Sequence, residues 1–373
     1  MKFNYNFKLS YVLVMLLAAA LNLLGVMVVR SASNMDADVT TWQIFGSVAG
    51  FILCLFISLF SYRKLLRFSS AFYIAILLIL AAVIVWGGIH HGAGRWITLP
   101  VVGQIQPAEF AKAGMIFCFA AYFDKYSNSL SEPRTVFFAV IMFAIPAVLI
   151  FIEPNLSTTI IFFVIFVCMY IAAGLSTRLI GIFGGLFSMM IVALYFLFAT
   201  GRYESIPFIK DYQKQRILSF LDPSSDPDSY LQQLHSIMAI GSGGFFGKGL
   251  YNTDIGSLKA GNFLIEEDTD FIFAVIGEEL GFRGGIAILV LYFLLILVIL
   301  WIAGRADDVA GSVICVGVAA WLGFQAFTNI AVATAVFPNT GVTLPFFSRG
   351  VSSLAAVYIG LGLVLSVDLH TKQ

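Results

Sequence analysis

Charged side chains are scarce in this sequence. Only 11% of its 373 residues are Asp, Glu, Lys or Arg, whereas 60% are hydrophobic. Because soluble domains carry about 25% charged residues, this composition excludes an ordinary water-exposed surface. The 21 basic and 21 acidic residues give a formal net charge of +0, so no attraction to a polyanion is indicated and nucleic acid is not an expected partner.

Cysteine and histidine are also rare, with four of each. The cysteines lie inside apolar runs and show no metal-ligand spacing, which argues against a disulfide framework or a zinc site. No HExxH motif is present, so a zinc hydrolase is not indicated either. We expect the cysteines to be packing residues.

Long apolar runs, in contrast, are abundant. A helix needs about 20 residues to cross the roughly 30 Å hydrocarbon core of a membrane. Runs of this order lie at 11–29, 42–60, 68–87, 108–123, 136–152, 156–173, 178–199, 271–301, 309–336 and 345–367. They predict an all-α polytopic membrane protein with about ten transmembrane helices, in which residues 1–373 form one membrane domain. The first run is longer than a signal-peptide core, so we expect an uncleaved helix.

The distribution of Lys and Arg predicts that both termini are cytoplasmic. With this orientation the short cytoplasmic segments carry Lys2, Lys8, Arg63, Lys64, Arg67, Lys125, Arg134, Arg178, Arg305 and Lys372. The short outer loops keep only Arg30, Arg95 and Arg349. The polar stretch from about 200 to 269 then falls outside, between helices seven and eight. Its length and its aromatic content indicate an ordered, functional loop.

Ionisable residues at membrane depth are costly and are therefore functional candidates. In this sequence they concentrate at the outer ends of the predicted helices, at Arg95, Glu109, Lys112, Glu153, Asp270, Glu278, Glu279, Arg283 and Arg349. We expect them to face one outer-leaflet cavity. Glu109 and Lys112 are neighbours on a helix face, and they form either a local ion pair or a site for an anionic head group. For Glu279 and Arg283, four residues apart, we expect a structural ion pair.

Asp270 lies where the outer loop enters the membrane, between Thr269 and the apolar Phe271. Partial burial there would raise the pKa of its carboxyl group toward the range that suits a general base. Asp is also favoured at helix N-caps. The sequence pattern leaves both interpretations open.

Two outer segments carry turn chemistry. The glycine-rich run 241–249 does not fit the Walker pattern, and it forms either a backbone nest for a pyrophosphate or a plain turn. The segment 338–345 has prolines at both ends and a central glycine, which predicts non-helical backbone. Such backbone is tolerated at membrane depth where protein or water covers it, so this segment is expected to line the same cavity.

Taken in order along the chain, these segments resemble the shape, elongation, division and sporulation (SEDS) family, which includes FtsW, RodA and SpoVE. The similar motifs are GAGRW at 92–96 with QPAEFAK at 106–112, EPNLST at 153–158, QRI and FLDP within 215–223, AIGSGG at 239–244, TDFIFAVIGEE at 269–279, and PNTGVTLPFFS at 338–348 followed by two serines. Together they cover nearly the whole chain.

The resemblance implies a peptidoglycan glycosyltransferase that polymerises lipid II on the outer face of the bacterial cytoplasmic membrane, for cell division or cell shape. It implies that Asp270 is the catalytic base and that substrate is bound by Arg95, Glu109, Lys112, Glu153, Lys248, Ser242, Gly243, Gly244, Thr343 and Pro345. A divalent cation, Mg or Mn, is a further expectation, without a readable ligand set. The expected partners are lipid II, a class B penicillin-binding protein and membrane lipids.

The sequence departs from the family pattern at several positions near the expected cavity. Asn155 and Ser157 replace an aspartate and a glycine, His235 replaces a glutamine, and the segment 265–268 lacks the usual proline and histidine. Two other functions stay open: a flippase for lipid-linked precursors, with the charged cavity as its translocation route, and a non-catalytic scaffold for a penicillin-binding protein, which the departures favour. The charges lie at outer helix ends rather than at the midplane, where transporter sites usually lie, and this disfavours the flippase.

Overall fold

Helices form where the apolar runs predict them. The computed structural model describes residues 8–371, except 87, 91–92, 100–102, 154, 202–210, 223–226, 254–255, 260, 262 and 264–266. In chain order the elements are α1 (Leu9–Ala32), α2 (Ala37–Leu59), α3 (Tyr62–Leu66), α4 (Ser69–Trp86), β1 (Gly88–His90), β2 (Ala93–Leu99), β3 (Gly103–Ile105), α5 (Pro107–Lys125), α6 (Pro133–Ile152), α7 (Leu156–Ala173), α8 (Thr177–Ala199), α9 (Asp211–Leu221), α10 (Pro227–Ser242), α11 (Ile272–Arg305), α12 (Val309–Ala333) and α13 (Val351–His370). Lys2, Lys372 and the departures at 265–266 lie outside the described residues.

Each of the ten predicted runs coincides with one long helix. Eight of these helices are long and apolar enough to cross a membrane: α1, α2, α4, α6, α7, α11, α12 and α13. Helix α5 has 19 residues, includes Glu109 and Lys112, and occupies the fourth predicted position. Helix α8 has 23 residues and occupies the seventh. The prediction of an all-α polytopic membrane fold is confirmed.

The predicted boundaries at the outer ends of the last two long helices were wrong, because backbone conformation ends these helices inside an apolar stretch. Helix α12 ends at Ala333 rather than near 336, because Ala335 adopts a positive φ of 52°. Helix α13 begins at Val351 rather than at 345, because Gly350 has a φ of 154° and cannot continue a helix. The apolar residues between these helices therefore belong to an ordered loop, 334–350.

The packed centre of the bundle is formed by α12 and α13. About 83% of the apolar window of α13 and 67% of that of α12 are buried, against 11% for α4 at the periphery. Helix α13 packs closely on α2: a Cβ added at Gly50 would lie 2.4 Å from the Tyr358 ring. Cys54, Cys118 and Cys315 are buried in this interior and all four cysteines are free.

A small antiparallel sheet, which the sequence analysis did not predict, lies between α4 and α5. Strand β2 pairs with β1 and with β3, with Gly88 opposite Trp96 and Ile97 opposite Ile105. The Ser352 hydroxyl of α13 donates to the Gln104 carbonyl at 3.2 Å. This hydrogen bond ties the sheet, and with it Arg95 on β2, to the outer end of the central helix.

Helix α11 is broken near its outer end at Gly281, where φ is 67° and ψ is −169°. The glycine-rich run supplies hydrogen-bond partners on both sides of the break. The N–H groups of Lys248 and Gly249 donate to the carbonyls of Glu278 and Glu279, each at 2.9 Å, and the Phe282 N–H donates to the Gly244 carbonyl at 2.9 Å. The backbone groups that the kink frees are therefore satisfied by this loop.

The expected ion pair between Glu279 and Arg283 does not form. The i, i+4 rule assumes a continuous helix, and the break at Gly281 separates the two side chains. Glu279 instead pairs with Lys259 at 2.5 Å, whereas the Arg283 guanidinium lies 5.1 Å from the centre of the Phe246 ring.

Candidate active site

Asp270 is held at the outer end of α11 by a buried amide of α12. Asn329, with no exposed surface, donates from Nδ2 to the Asp270 carbonyl at 2.8 Å and to the Val342 carbonyl at 2.7 Å. One side chain therefore fixes both the segment that carries Asp270 and the loop 334–350. Because Asn329 is buried, its two hydrogen bonds fix the position of the Asp270 segment relative to the loop 334–350.

A second clamp joins the same two segments. The Ser348 hydroxyl donates to the Thr269 carbonyl at 2.6 Å and accepts from the Leu344 N–H at 2.7 Å. Arg349 adds a backbone hydrogen bond to the Asp268 carbonyl at 2.7 Å and a salt bridge to the Asp268 carboxylate at 3.0 Å. The backbone on either side of Asp270 is thus anchored on both flanks.

The Asp270 carboxylate lies beside a cation from the extracytoplasmic loop. A Cβ added at Gly341 would lie 3.2 Å from Oδ2 of Asp270 and 3.5 Å from Nη1 of Arg216. Gly341 has a φ of 68°, so glycine suits this position for two reasons, backbone conformation and space. Asp270 is partly buried rather than enclosed. The Asp270 carboxylate and the Arg216 guanidinium therefore lie close together at a partly solvent-accessible position on the outer face.

Lys112 belongs to a buried hydrogen-bond network. Its ammonium group donates to Glu109 at 2.8 Å and to Oε1 of Gln325 at 2.7 Å, and it has no exposed surface. Gln325 in turn donates to the carbonyl and to the hydroxyl of Thr343, both at 3.0 Å. Of the two interpretations of the Glu109–Lys112 spacing, these contacts favour the local ion pair, extended so that it supports the loop 334–350.

Arg95 and Glu153 come together at the turn between α6 and α7. Nε of Arg95 donates to the Glu153 carbonyl at 3.3 Å. Glu153 is 2% exposed, and within the described part of the chain its two carboxylate oxygens have no hydrogen-bond partner. Ser157, on the next turn, donates to the Thr340 carbonyl at 2.5 Å. This turn is therefore joined to the loop that faces Asp270.

The glycine-rich run has structural contacts that an anion nest would not allow. The N–H groups of Gly243, Gly247 and Lys248 all donate to carbonyl groups of the protein, and a Cβ at Gly243 would lie 2.0 Å from the carbonyl oxygen of Gly277. The Ser242 hydroxyl donates to the Ala239 carbonyl at 2.8 Å. These contacts favour the plain turn, packed on α11, over a nest for pyrophosphate.

The remaining predicted substrate-binding residues near these segments are also tied to the protein. Lys248 pairs with Glu278 at 2.7 Å and donates to the Gly256 carbonyl at 2.9 Å. Pro345 is buried, and its carbonyl accepts a hydrogen bond from the Tyr292 hydroxyl. Gly244 is exposed, and its carbonyl accepts from Phe282.

The expectation of one cavity shared by all the outer ionisable residues was wrong for Glu278 and Glu279. Both carboxylates are buried against the extracytoplasmic loop, where they pair with Lys248 and Lys259. The Ser31 hydroxyl of α1 donates to Glu279 at 2.7 Å and accepts from Lys259 at 2.9 Å. This second cluster fastens the loop to α1 and α11.

Glu267, just before Asp268, is another partly buried carboxyl group in the extracytoplasmic loop. Its pKa is raised to about 8, mainly by burial; Lys259 opposes this shift, and the carboxylates of Asp268, Glu278 and Glu279 add to it. The protonated form of Glu267 is therefore stabilised in the folded protein.

Three residues of the site were missed by the sequence analysis as site residues: Arg216, Gln325 and Asn329. Arg216 lay within a quoted motif but received no role. Gln325 and Asn329 are amides four residues apart in an otherwise apolar helix, hence on one face. Polar side chains inside membrane helices are a functional signal, and this spacing could have identified them.

Among the described residues, no group of three or more His, Cys, Asp or Glu side chains could hold a metal ion. A cation held by protein ligands alone does not fit this part of the chain. The divalent cation stays a prediction, and no chemical step is assigned to it.

Known proteins resemble this chain over nearly its full length. Residues 11–373 match the FtsW/RodA/SpoVE family of cell cycle proteins. The peptidoglycan glycosyltransferase MrdB of Escherichia coli (strain K12) is 34% identical over 360 residues, which cover 96% of this chain and 93% of MrdB. The solved structure of the rod shape determining protein RodA of Thermus thermophilus is 27% identical, covers 99% of this chain and 98% of its own, and superposes with a TM-score of 0.71.

A further solved chain comes from a study described as the structural coordination of polymerization and crosslinking by a peptidoglycan synthase complex. It is 28% identical, covers 98% of both chains and has a TM-score of 0.79. The fold and the clamped outer site define a multi-pass protein of the bacterial cytoplasmic membrane. The chain belongs to the FtsW/RodA/SpoVE, or SEDS, family.

Proposed function

We propose that this protein is a peptidoglycan glycosyltransferase that polymerises lipid II at the outer face of the membrane, with Asp270 as its general base. The observation that carries the proposal is the clamp on Asp270. Asn329 and Ser348 hold the backbone around a partly exposed carboxylate, and Arg216 lies beside it. The names of the relatives, which include a peptidoglycan glycosyltransferase, support the same activity.

The reaction that this site would perform is a glycosyl transfer. The 4-hydroxyl oxygen of an incoming lipid II disaccharide bonds to C1 of the reducing-end sugar of the growing strand. The bond from C1 to the pyrophosphate oxygen breaks, and its electron pair leaves with undecaprenyl pyrophosphate. The hydroxyl proton passes to the Asp270 carboxylate, which is the role of a general base.

The cations near the site have different parts in this proposal. Arg216 and Arg95 are the basic residues assigned to the developing negative charge of the pyrophosphate, as cations stabilise developing anions. Lys112 and Lys248 are paired inside the protein with Glu109 and Glu278. We therefore assign these two lysines to the support of the site rather than to direct contact with substrate.

The proposed partner is a class B penicillin-binding protein, which would crosslink the strands that this protein makes. The solved complex with the same fold couples polymerization and crosslinking, which supports a pairing of this kind. Division, elongation and sporulation roles would differ in which partner is bound.

The proposal is tested by polymerisation of fluorescent lipid II with the purified protein and a class B penicillin-binding protein whose crosslinking site is blocked by a β-lactam. Glycan strands resolved on a gel, and absent with the partner alone, are the expected result. No strands with a correctly assembled complex would favour the scaffold. Transfer of lipid II across vesicle membranes without strand formation would favour the flippase.

A further inference from the structure

A cavity lies at the cytoplasmic end of α4, α5 and α6, on the opposite membrane face from Asp270. It has a volume of about 450 Å³. Tyr122, Tyr126 and Arg134 line its cytoplasmic end, and Tyr73 lies deeper, at the level of Met142. Apolar side chains of α6 form its wall deeper in the membrane. A polar mouth and an apolar wall are what an amphipathic ligand requires.

Two of the tyrosines hold the walls of the cavity in place. The Tyr73 hydroxyl of α4 donates to the Met142 carbonyl at 3.1 Å. The Tyr122 hydroxyl of α5 donates to the Thr135 carbonyl at 2.9 Å. Both bonds end on α6, so the three helices are fixed around the cavity by hydrogen bonds that leave its interior open.

The polar mouth presents unused donors. Arg134 is exposed, and within the described part of the chain neither its guanidinium group nor the Tyr126 hydroxyl makes a hydrogen bond or ion pair with another residue. The Lys125 ammonium lies 5.3 Å from the centre of the Tyr126 ring, which adds positive charge at the same edge. This mouth is therefore complementary to an anion.

The apolar wall continues the lipid-facing surface of α6. Phe138, Ile141 and Ile145 are 47%, 36% and 44% exposed, and their spacing places them on one helix face. From Phe138 to Ile145 the helix rises by about 10 Å. This distance is about two-thirds of one leaflet's half of the roughly 30 Å hydrocarbon core, so the wall can accompany the part of one acyl chain nearest the head group.

We propose that this cavity binds one anionic phospholipid of the cytoplasmic leaflet. Its phosphate accepts hydrogen bonds from Arg134 and Tyr126, and one acyl chain lies along Phe138, Ile141 and Ile145. Arginine suits phosphate because its planar fork can donate two hydrogen bonds. Basic pockets between helices on this side of a membrane favour anionic head groups.

The test uses the purified protein in detergent and native mass spectrometry. Phosphatidylglycerol and phosphatidylcholine with the same acyl chains are supplied in equal amounts. The wild type is expected to retain one phosphatidylglycerol in preference to phosphatidylcholine by about fivefold, the factor expected for one basic residue near an anionic lipid. Arg134→Gln is expected to remove the preference. Arg178→Gln is the matched control, because Arg178 is also exposed and is also the second residue of a cytoplasmic helix start.

A second variant tests the apolar half of the site. Ile141→Trp fills the cavity and is expected to reduce retention of either lipid, with unchanged elution on size exclusion as evidence of folding. Excess glycerol 1-phosphate is expected to leave the bound lipid in place, because it offers only the head group. Equal retention of both lipids by the wild type, an equal effect of Arg134→Gln and Arg178→Gln, or displacement by glycerol 1-phosphate would each overturn the proposal.

Discussion

Breaking the buried ion pair between Lys259 and Glu279 is predicted to destabilise the protein strongly. The two charged atoms are 2.5 Å apart, and the side chains are 3% and 1% exposed. At an effective dielectric constant of about 20, unit charges at this distance attract by roughly 7 kcal/mol. Removal of one partner leaves the other charge buried without compensation, which is expected to cost about 3–5 kcal/mol.

A double-mutant cycle measures this pair directly. Lys259→Met leaves the Glu279 carboxylate with the Ser31 hydroxyl as a donor but without its counter-charge. Glu279→Gln keeps the shape and leaves the ammonium group unpaired. The double variant is expected to lose no more stability than either single variant, which corresponds to a coupling energy of about 3 kcal/mol.

The assay is the free energy of unfolding in mixed micelles titrated with sodium dodecyl sulfate. Arg349→Met is the control, because the Arg349–Asp268 pair is more accessible to water, with 53% of the arginine and 18% of the aspartate side chain exposed, and solvent-accessible pairs contribute about 0–1 kcal/mol. Additive losses for Lys259→Met and Glu279→Gln would refute the reasoning, because additivity would mean that the two side chains do not stabilise each other.

Three further perturbations are expected to have distinct outcomes. Gly243→Ala is expected to lower the free energy of unfolding by about 1–3 kcal/mol through overpacking, since the new Cβ would lie 2.0 Å from a carbonyl oxygen of α11. Gly241→Ala is the control, because a Cβ there meets nothing within 4 Å. Equal unfolding free energies for the two variants would contradict the packing. The pKa of Glu267 is raised from 4.5 to about 8 in the folded state, so between these pH values the folded state keeps a proton that the unfolded state loses. The free energy of unfolding therefore falls as the pH rises from 4.5 to 8, by at most about 1.4 kcal/mol per pH unit. Glu267→Gln should flatten that slope, and an unchanged slope would assign it to other groups. Asn329→Ala removes both hydrogen bonds of the clamp and is expected to lower the rate of polymerisation by about 100-fold through misplacement of Asp270. Thr328→Ala loses only a hydrogen bond to its own helix and should keep its activity. Equal rates in the two variants would argue against the clamp.

The membrane fold could be predicted from the sequence because helices that cross a membrane consist of long apolar runs. Ten apolar runs of about 20 residues predicted ten long helices, and each was found. The ends of α12 and α13 were misplaced because the residues between them are as apolar as the helices themselves. Hydropathy does not distinguish a buried loop from a helix end, whereas the positive φ of Ala335 and Gly350 does.

The components of the candidate site were only partly predictable. Asp270 and the loop with Thr343 were identified by their position and by their motifs. The spacing of Gln325 and Asn329 marks one polar helix face, but the site residues they contact are 13 to 213 positions away in the sequence. Local spacing can therefore indicate these two residues without indicating what they hold.

The break in α11 shows the limit of spacing rules most clearly. The sequence places Glu279 and Arg283 four residues apart, which indicates an ion pair only in an unbroken helix. Gly281 between them, with its φ of 67°, redirects the chain, so that Glu279 meets Lys259. Four glycines within residues 277–285, Gly281 among them, were the sequence signal of that change.

The measurement that tests the central claim most directly is the initial rate of lipid II polymerisation by Asp270→Asn beside Asp268→Asn, each in complex with the same penicillin-binding protein. Asp268 is a carboxylate two residues away; its side chain is 18% exposed and pairs with Arg349, and the amide variant keeps the backbone hydrogen bond from Arg349 to the Asp268 carbonyl. If Asp270 is the general base, its amide variant is expected to lose about 10²- to 10⁴-fold in rate, while Asp268→Asn stays within about tenfold of the wild type. Equal rates for Asp270→Asn and the wild type would contradict the account.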